Sequence, residues 1–167
     1  MATRTALTEQ EYLTTSFDNP DPEFRDGELV ERSLPTFKHG RTQLRIGMRF
    51  ETLSSKYPIY TSVETRTKIR KGQYLVSDVA VFLGAEPPDV PDFPPLVAVE
   101  VLSHDDRMQD VLEKVQEYRA WGVAHIWLVD PESRRLYVYD QELREVSCLC
   151  IAELEFNINS VDIVPSE

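Results

Sequence analysis

Leu96-Val97-Ala98-Val99-Glu100-Val101-Leu102, then an amphipathic stretch opened by Ser103-His104-Asp105-Asp106, then Ile126-Trp127-Leu128-Val129-Asp130: this succession decides the fold. Both outer runs have the length and β-branched content of strands buried on two faces. Between them Met108, Val111, Leu112, Val115 and Tyr118 recur at helical spacing as far as Gly122, with Ser103 placed as N-cap and acids in the first turn. A strand, a helix of about 18 residues and a strand form a βαβ crossover, which predicts a parallel pair. The fold class is therefore α/β.

Working outward, Thr8-Glu9-Gln10-Glu11 has the form of a capping box and predicts a short N-terminal helix, ended by Asp18-Asn19-Pro20-Asp21-Pro22. Asp26-Gly27 marks a turn before a strand at Glu28-Leu29-Val30-Glu31, which pairs hairpin-fashion with the segment around Phe24. From Phe37 to Ser55, Leu44, Ile46, Met48, Phe50 and Leu53 predict a second helix with a broad buried face. Ile59 to Val63, Thr65 to Ile69 and Tyr74 to Phe82 read as strands, the last two joined at Lys71-Gly72. Residues 86–95 hold five of the eleven prolines, so this segment is a stiff connector and neither helix nor central strand. Arg135 to Asp140 and Glu145 to Ile151 read as further strands.

The 167 residues suit one domain, taken as 1–167. No run approaches the roughly 18 apolar residues of a membrane span, and Met1 to Leu7 lacks a signal peptide's apolar core, so the expectation is a soluble, cytoplasmic protein with no membrane partner. Cys148 and Cys150 share one face of a strand and are too sparse for a zinc site or a disulfide framework; reduced core cysteines are expected. The net charge of −11 argues against a polyanionic partner, but it is unevenly spread. Residues 38–71 carry nine basic side chains against two acidic ones, a balance of +7 that leaves −18 for the rest. Arg41, Arg45 and Arg49 form a stripe along the second helix, and Arg66, Lys68 and Arg70 alternate along one strand. Either row alone reads equally well as solvated surface; two in neighbouring segments read as a phosphate-binding surface.

Glu100 is the residue that departs from its surroundings. Alternation sets it on one strand face with Leu96, Ala98 and Leu102, where a buried carboxylate is costly unless a cation compensates it. Asp78 heads Val79-Ala80-Val81-Phe82, where a side chain reaches a cleft at the strand's end. Two carboxylates from adjacent strands are hard oxygen ligands that suit Mg²⁺ or Mn²⁺. Lys114 lies on the flank of the helix's apolar face, from where its ammonium reaches the sheet or snorkels to water.

Asp26-Gly27-Glu28-Leu29, His39 opening the second helix, Ser77-Asp78-Val79-Ala80-Val81, Val99-Glu100-Val101-Leu102-Ser103 with Arg107, Asp110, Lys114 and Tyr118, and Trp127-Leu128-Val129-Asp130-Pro131 together resemble the Uma2 family. That family is similar to restriction endonucleases of the PD-(D/E)XK superfamily. The resemblance spans roughly residues 8 to 140. It implies a restriction-endonuclease-like core, a mixed β-sheet flanked by α-helices with an added N-terminal helix and β-hairpin. It further implies Asp78 and Glu100 as metal ligands, Glu28 as a further acidic site residue and His39 near the cleft. The lysine of the parent motif falls where this chain has Leu102, and Lys114 replaces it; the parent motif's proline before the aspartate is Ser77. The expected activity is an Mg²⁺-dependent endonuclease that hydrolyses DNA phosphodiesters with metal-activated water, working as a homodimer. The other reading is a non-catalytic binding or assembly module that retains the nuclease fold.

Overall fold

The computed structural model describes residues 7–18 and 20–164. In chain order these form α1 (Glu9–Thr14), β1 (Glu23–Arg25), β2 (Glu28–Val30), α2 (Phe37–Glu51), β3 (Ile59–Arg70), β4 (Gln73–Leu83), β5 (Val97–Val101), α3 (Met108–Trp121), β6 (His125–Asp130), β7 (Arg135–Asp140), β8 (Glu142–Val146), β9 (Cys148–Ile151), β10 (Phe156–Asn159) and α4 (Ser160–Ile163). The signal-peptide reading of the first residues and Asn19 of the helix-ending run lie outside the described residues.

β5 and β6 are parallel and α3 connects them, as the apolar runs require. The other pairings in the main sheet are antiparallel, in the order β2-β1-β4-β5-β6-β7-β8, with β3 along the opposite edge of β4. One face of the sheet packs Val79, Val81, Val97, Val99 and Trp127 against Ile46 and Phe50 of α2 and against the β9–β10 hairpin. The opposite face packs Leu75, Ala98, Ile126 and Leu128 against Val115 and Tyr118 of α3. The N-terminal elements add a third cluster, where Tyr12 stacks on Phe24 beside Tyr74.

Several local expectations are corrected. Residues 59–70 form one strand, and the break expected near Glu64 survives only as a positive φ of 50° there. α3 begins at Met108 because Ser103 N–H is taken by Asp106 Oδ2 at 2.7 Å in a separate turn, so Ser103 is no helix cap. Leu44 and Met48 are exposed, since α2 offers the sheet only the Ile46 and Phe50 side of its circumference. The expected strand from Glu145 to Ile151 divides between β8 and β9, which belong to different sheets. Alternation in β9 sends Leu149 and Ile151 inward, so Cys148 and Cys150 point outward and are joined by a disulfide rather than buried as thiols.

Candidate active site in a gap of the sheet

Along one edge of β4, two short strands leave a gap. β1 pairs with Gln73 and Tyr74, β5 pairs with Val79 to Val81, and the stretch between them has no strand partner on that side. Buried backbone groups there still need hydrogen bonds, and charged side chains supply them. Glu23 accepts from Val76 N–H at 3.2 Å, Lys114 Nζ donates to Val76 O at 2.8 Å, and Asp78 Oδ2 accepts from Val101 N–H at 2.6 Å. The gap thus gathers ionised groups because it lacks a strand.

The β4 backbone also turns over at this point. Ser77 bonds Tyr118 on the α3 side, as Leu75 packs there, whereas Val79 and Val81 face α2. On β3, Glu64 stands opposite Asp78 at the one interior position of the ladder where neither residue is paired before the bulge near Lys68. Its φ of 50° is uncommon for a residue with a side chain and costs of order 1–3 kcal/mol. This local reversal brings Asp78 to the side of α2 while Glu100 stays with α3. Asp78 therefore sits in the middle of β4 and not at its end.

Two linked groups result. Asp78, 3% exposed, accepts from Arg32 Nη2 at 2.8 Å and Gln43 Nε2 at 3.2 Å, and lies 3.3 Å from His39 Nε2. Arg32 and Gln43 also both donate to Glu64. Glu100, 8% exposed, accepts from Lys114 Nζ and from Tyr118 O–H, both at 2.8 Å. Lys114 meets Glu23 at 2.8 Å on its other side. A cleft of about 270 Å³ opens onto these groups between the 31–35 segment and residues 102–107, with Arg107 and Asp110 on its lining.

Charge explains the protonation tendencies. Burial pushes Asp78 up, yet the hydrogen bond and charge of His39 together with Arg32 hold it below the usual aspartate range. Burial lowers His39, and Asp78 more than restores it, so the imidazole is raised; its Nδ1 is buried and has no hydrogen-bond partner among the described residues. Burial raises Glu100 to about 7, opposed by Lys114 and reinforced by the Asp78 charge. Lys114 is held well above its usual value because Glu100 and Glu23 outweigh its burial. Glu23 is lowered, since Lys114 overcomes its burial. Lys114 serves both buried carboxylates, but Glu23 has Arg25 as a second cation and Glu100 has no second one at pairing distance among the described residues.

The structure thus brings together Asp78, Glu100, Lys114 and His39 of the expected site. It places Glu28 elsewhere: that residue is exposed on β2 and borders a separate cavity of about 650 Å³, while Glu23, on the strand that pairs with β4, faces Lys114. The hairpin register is the reason, because Glu28 lies opposite Arg25 on the strand remote from β4. The basic row on β3 is paired within the chain. Arg66 pairs with Asp21 at 3.4 Å, Lys68 with Glu9 at 3.1 Å and Arg70 with Asp26 at 2.9 Å, all acids of the N-terminal segment. On α2, Arg49 donates to Asn157 O at 3.3 Å, while Arg41 and Arg45 make no hydrogen bond or ion pair among the described residues. Glu23, Glu64, Gln43 and Arg32 were not singled out by sequence. Only Glu64 had a readable signal: it lies as far before Lys71 at the β3–β4 turn as Asp78 lies after it.

A sequence profile described as "Uma2: Putative restriction endonuclease" matches residues 9–162, most of the chain. The chain belongs to the Uma2 family. Its fold is similar to a crystal structure from Anabaena variabilis ATCC 29413, described as "a putative nuclease belonging to DUF820", with a TM-score of 0.81 at 19% identity. The match covers 95% of this chain and 97% of that one, so the fold is shared almost end to end. No curated protein matches. For this Uma2 member, no helix among the described residues is long and apolar enough to cross a membrane.

Proposed function

We propose that this Uma2 protein is a divalent-metal-dependent endonuclease that hydrolyses DNA phosphodiesters. One observation carries the reading: four carboxylates, Glu23, Glu64, Asp78 and Glu100, converge at the cleft on Arg32 and Lys114, each of which bridges two of them, while Arg25, the further fixed cation on Glu23, is shared with Glu117. With Glu117 counted, five carboxylates face the three fixed cations Arg25, Arg32 and Lys114, and the excess negative charge is left for a proton on His39 or Glu100 or for a divalent ion. The donors are all oxygen, which suits Mg²⁺ or Mn²⁺ and not a thiophilic metal. Among the described residues no three His, Cys, Asp or Glu side chains are already converged on a metal position, because protein donors occupy the carboxylate oxygens.

Asp78 and Glu100 would hold the ion, which supplies Lewis acidity and a more acidic bound water. Val101 N–H and Gln43 orient Asp78, and Tyr118 orients Glu100. Lys114, whose three donors are taken by Glu100, Glu23 and Val76 O, contributes its positive charge at the cleft, and Glu23 takes the supporting role that the resemblance assigned to Glu28. His39 assists by holding Asp78 ionised. Arg41 and Arg45, with Arg49 beside them, hold the DNA backbone. The protein acts in the cytoplasm as a homodimer, pairing two sites for two strands.

The test is nicking of supercoiled duplex and of single-stranded DNA after metal is stripped, with Mg²⁺ or Mn²⁺ restored. Cleavage that persists in chelator sinks the metal assignment. The occupation of the carboxylate oxygens by protein donors favours a second reading, a binding or assembly module that keeps the fold. No cleavage with either metal, together with no thermal stabilisation by them, selects that module.

A pH dependence follows from Glu100. A metal needs its ionised form, so Mn²⁺ affinity is expected to rise roughly tenfold per unit below about pH 7 and to flatten above it. Stability of the metal-free protein runs the other way. The raised Glu100 contributes fully below its unfolded value and loses that contribution as pH rises through about 7. Calorimetric titration between about pH 6 and pH 8 measures the first; a flat profile removes Glu100 as a ligand.

A further inference from the structure

Arg32 occupies the position where Asp78 needs a cation. It lies in the connection between β2 and α2, and its side chain is only 13% exposed. Its guanidinium bridges the two carboxylates across the β3–β4 ladder, donating from Nη2 to Asp78 Oδ1 at 2.8 Å and from Nη1 to Glu64 Oε2. Gln43 repeats the bridge from α2. A guanidinium and a divalent ion on the same carboxylate compete for its lone pairs and repel each other in a site screened from water.

The segment that carries Arg32 is held through side chains and not through its backbone. Residues 31–35 make no backbone hydrogen bond among the described residues, and Ser33 Oγ to Asp106 Oδ1 at 2.6 Å ties the segment across the cleft. Arg32 also lines both the active-site cleft and the adjoining cavity of about 650 Å³, so its head has open space away from Asp78.

We propose that Arg32 is an internal competitor of the metal for Asp78 and, once displaced, the group that meets the scissile phosphate. This rests on the metal-nuclease reading above. In the metal-free protein Arg32 neutralises Asp78 and Glu64 and keeps stray cations off both carboxylates. When a divalent ion takes Asp78, the guanidinium keeps Glu64 as its anchor and turns its other fork to an anionic oxygen, a geometry arginine satisfies with two parallel donors.

The experiment titrates Mn²⁺ by calorimetry into wild type, Arg32→Met and Arg32→Lys, and measures nicking at saturating metal for each. Arg32→Met is expected to bind Mn²⁺ about tenfold tighter or more, with Arg32→Lys between it and wild type. Nicking at saturating metal is expected to slow by at least about tenfold in Arg32→Met. Millimolar methylguanidine added to Arg32→Met is expected to weaken Mn²⁺ binding again, which a merely structural loss would not produce. Affinity that is unchanged or weaker in both variants overturns the competition, and nicking at the wild-type rate overturns the phosphate role. Wild type that binds no Mn²⁺ overturns the metal reading itself. If Arg32→Met does not fold, Arg32→Lys carries the affinity test, because it keeps the positive charge on a single nitrogen and loses the planar two-armed guanidinium that spans Asp78 and Glu64.

Discussion

Asp78→Asn is expected to reduce metal-dependent cleavage by about 10³-fold or more and to remove the thermal stabilisation by Mn²⁺. Every group around Asp78 is a donor: Arg32 and Gln43 on Oδ1, Val101 N–H and His39 on Oδ2. An asparagine of the same size offers one acceptor oxygen and turns its amide against another donor. It also removes the charge that raises His39 and that a divalent ion would share. Leaving Arg32 with Glu64 alone limits the damage, so the stability loss is expected at about 2–4 kcal/mol, short of unfolding for an ordinary domain. A urea midpoint and a circular dichroism spectrum separate the folded, inactive variant from an unfolded one. Cleavage within about tenfold of wild type by a folded Asp78→Asn protein removes Asp78 from the metal site.

The parts of the fold that sequence made legible are those where one local pattern suffices. Two apolar runs around an amphipathic stretch specify the β5-α3-β6 crossover, and a lone glutamate in such a run announces a compensating partner. Spacing sets Lys114 on the flank of the apolar face of α3 and leaves open whether its head reaches the sheet or water; the contacts with Glu100 and Glu23 decide that. The rest depends on register, which no single segment encodes. Glu23 follows two prolines in a three-residue strand, with no periodicity to mark it, while Glu28 has the better strand signal and the wrong strand. Glu64 takes a positive φ without the glycine or asparagine that would advertise it. The β3 arginines and lysine read as a surface until the N-terminal acids are folded over them. Leu44 and Met48 fit a helical stripe, yet the sheet covers only part of that stripe, and their exposure is a tertiary outcome.

Lys114→Met tests the other half of the cluster and is expected to cost about 3–5 kcal/mol at neutral pH. Lys114 Nζ is 2.8 Å from Glu100 Oε2, from Glu23 Oε1 and from Val76 O, with its side chain 12% exposed. Methionine fills the same volume and supplies neither charge nor donor, so two buried carboxylates and one carbonyl lose a partner together. Arg25 remains on Glu23 at 3.3 Å, and Tyr118 remains on Glu100, which keeps the loss within that range. The sign of the pH dependence follows. Without the ammonium both glutamates are raised in the folded state, so protonation favours the native form and acid relieves the defect. The gap in urea midpoint between variant and wild type is therefore expected to be widest above about pH 7 and to narrow toward about pH 5. Cleavage is expected to fall by about 10²-fold or more even where the variant is folded, since the cation that holds Glu100 and Glu23 in place at the cleft is gone. A gap that stays constant across this range, or widens in acid, means that Lys114 stabilises through packing of its stem and not through the charge of Glu100 and Glu23.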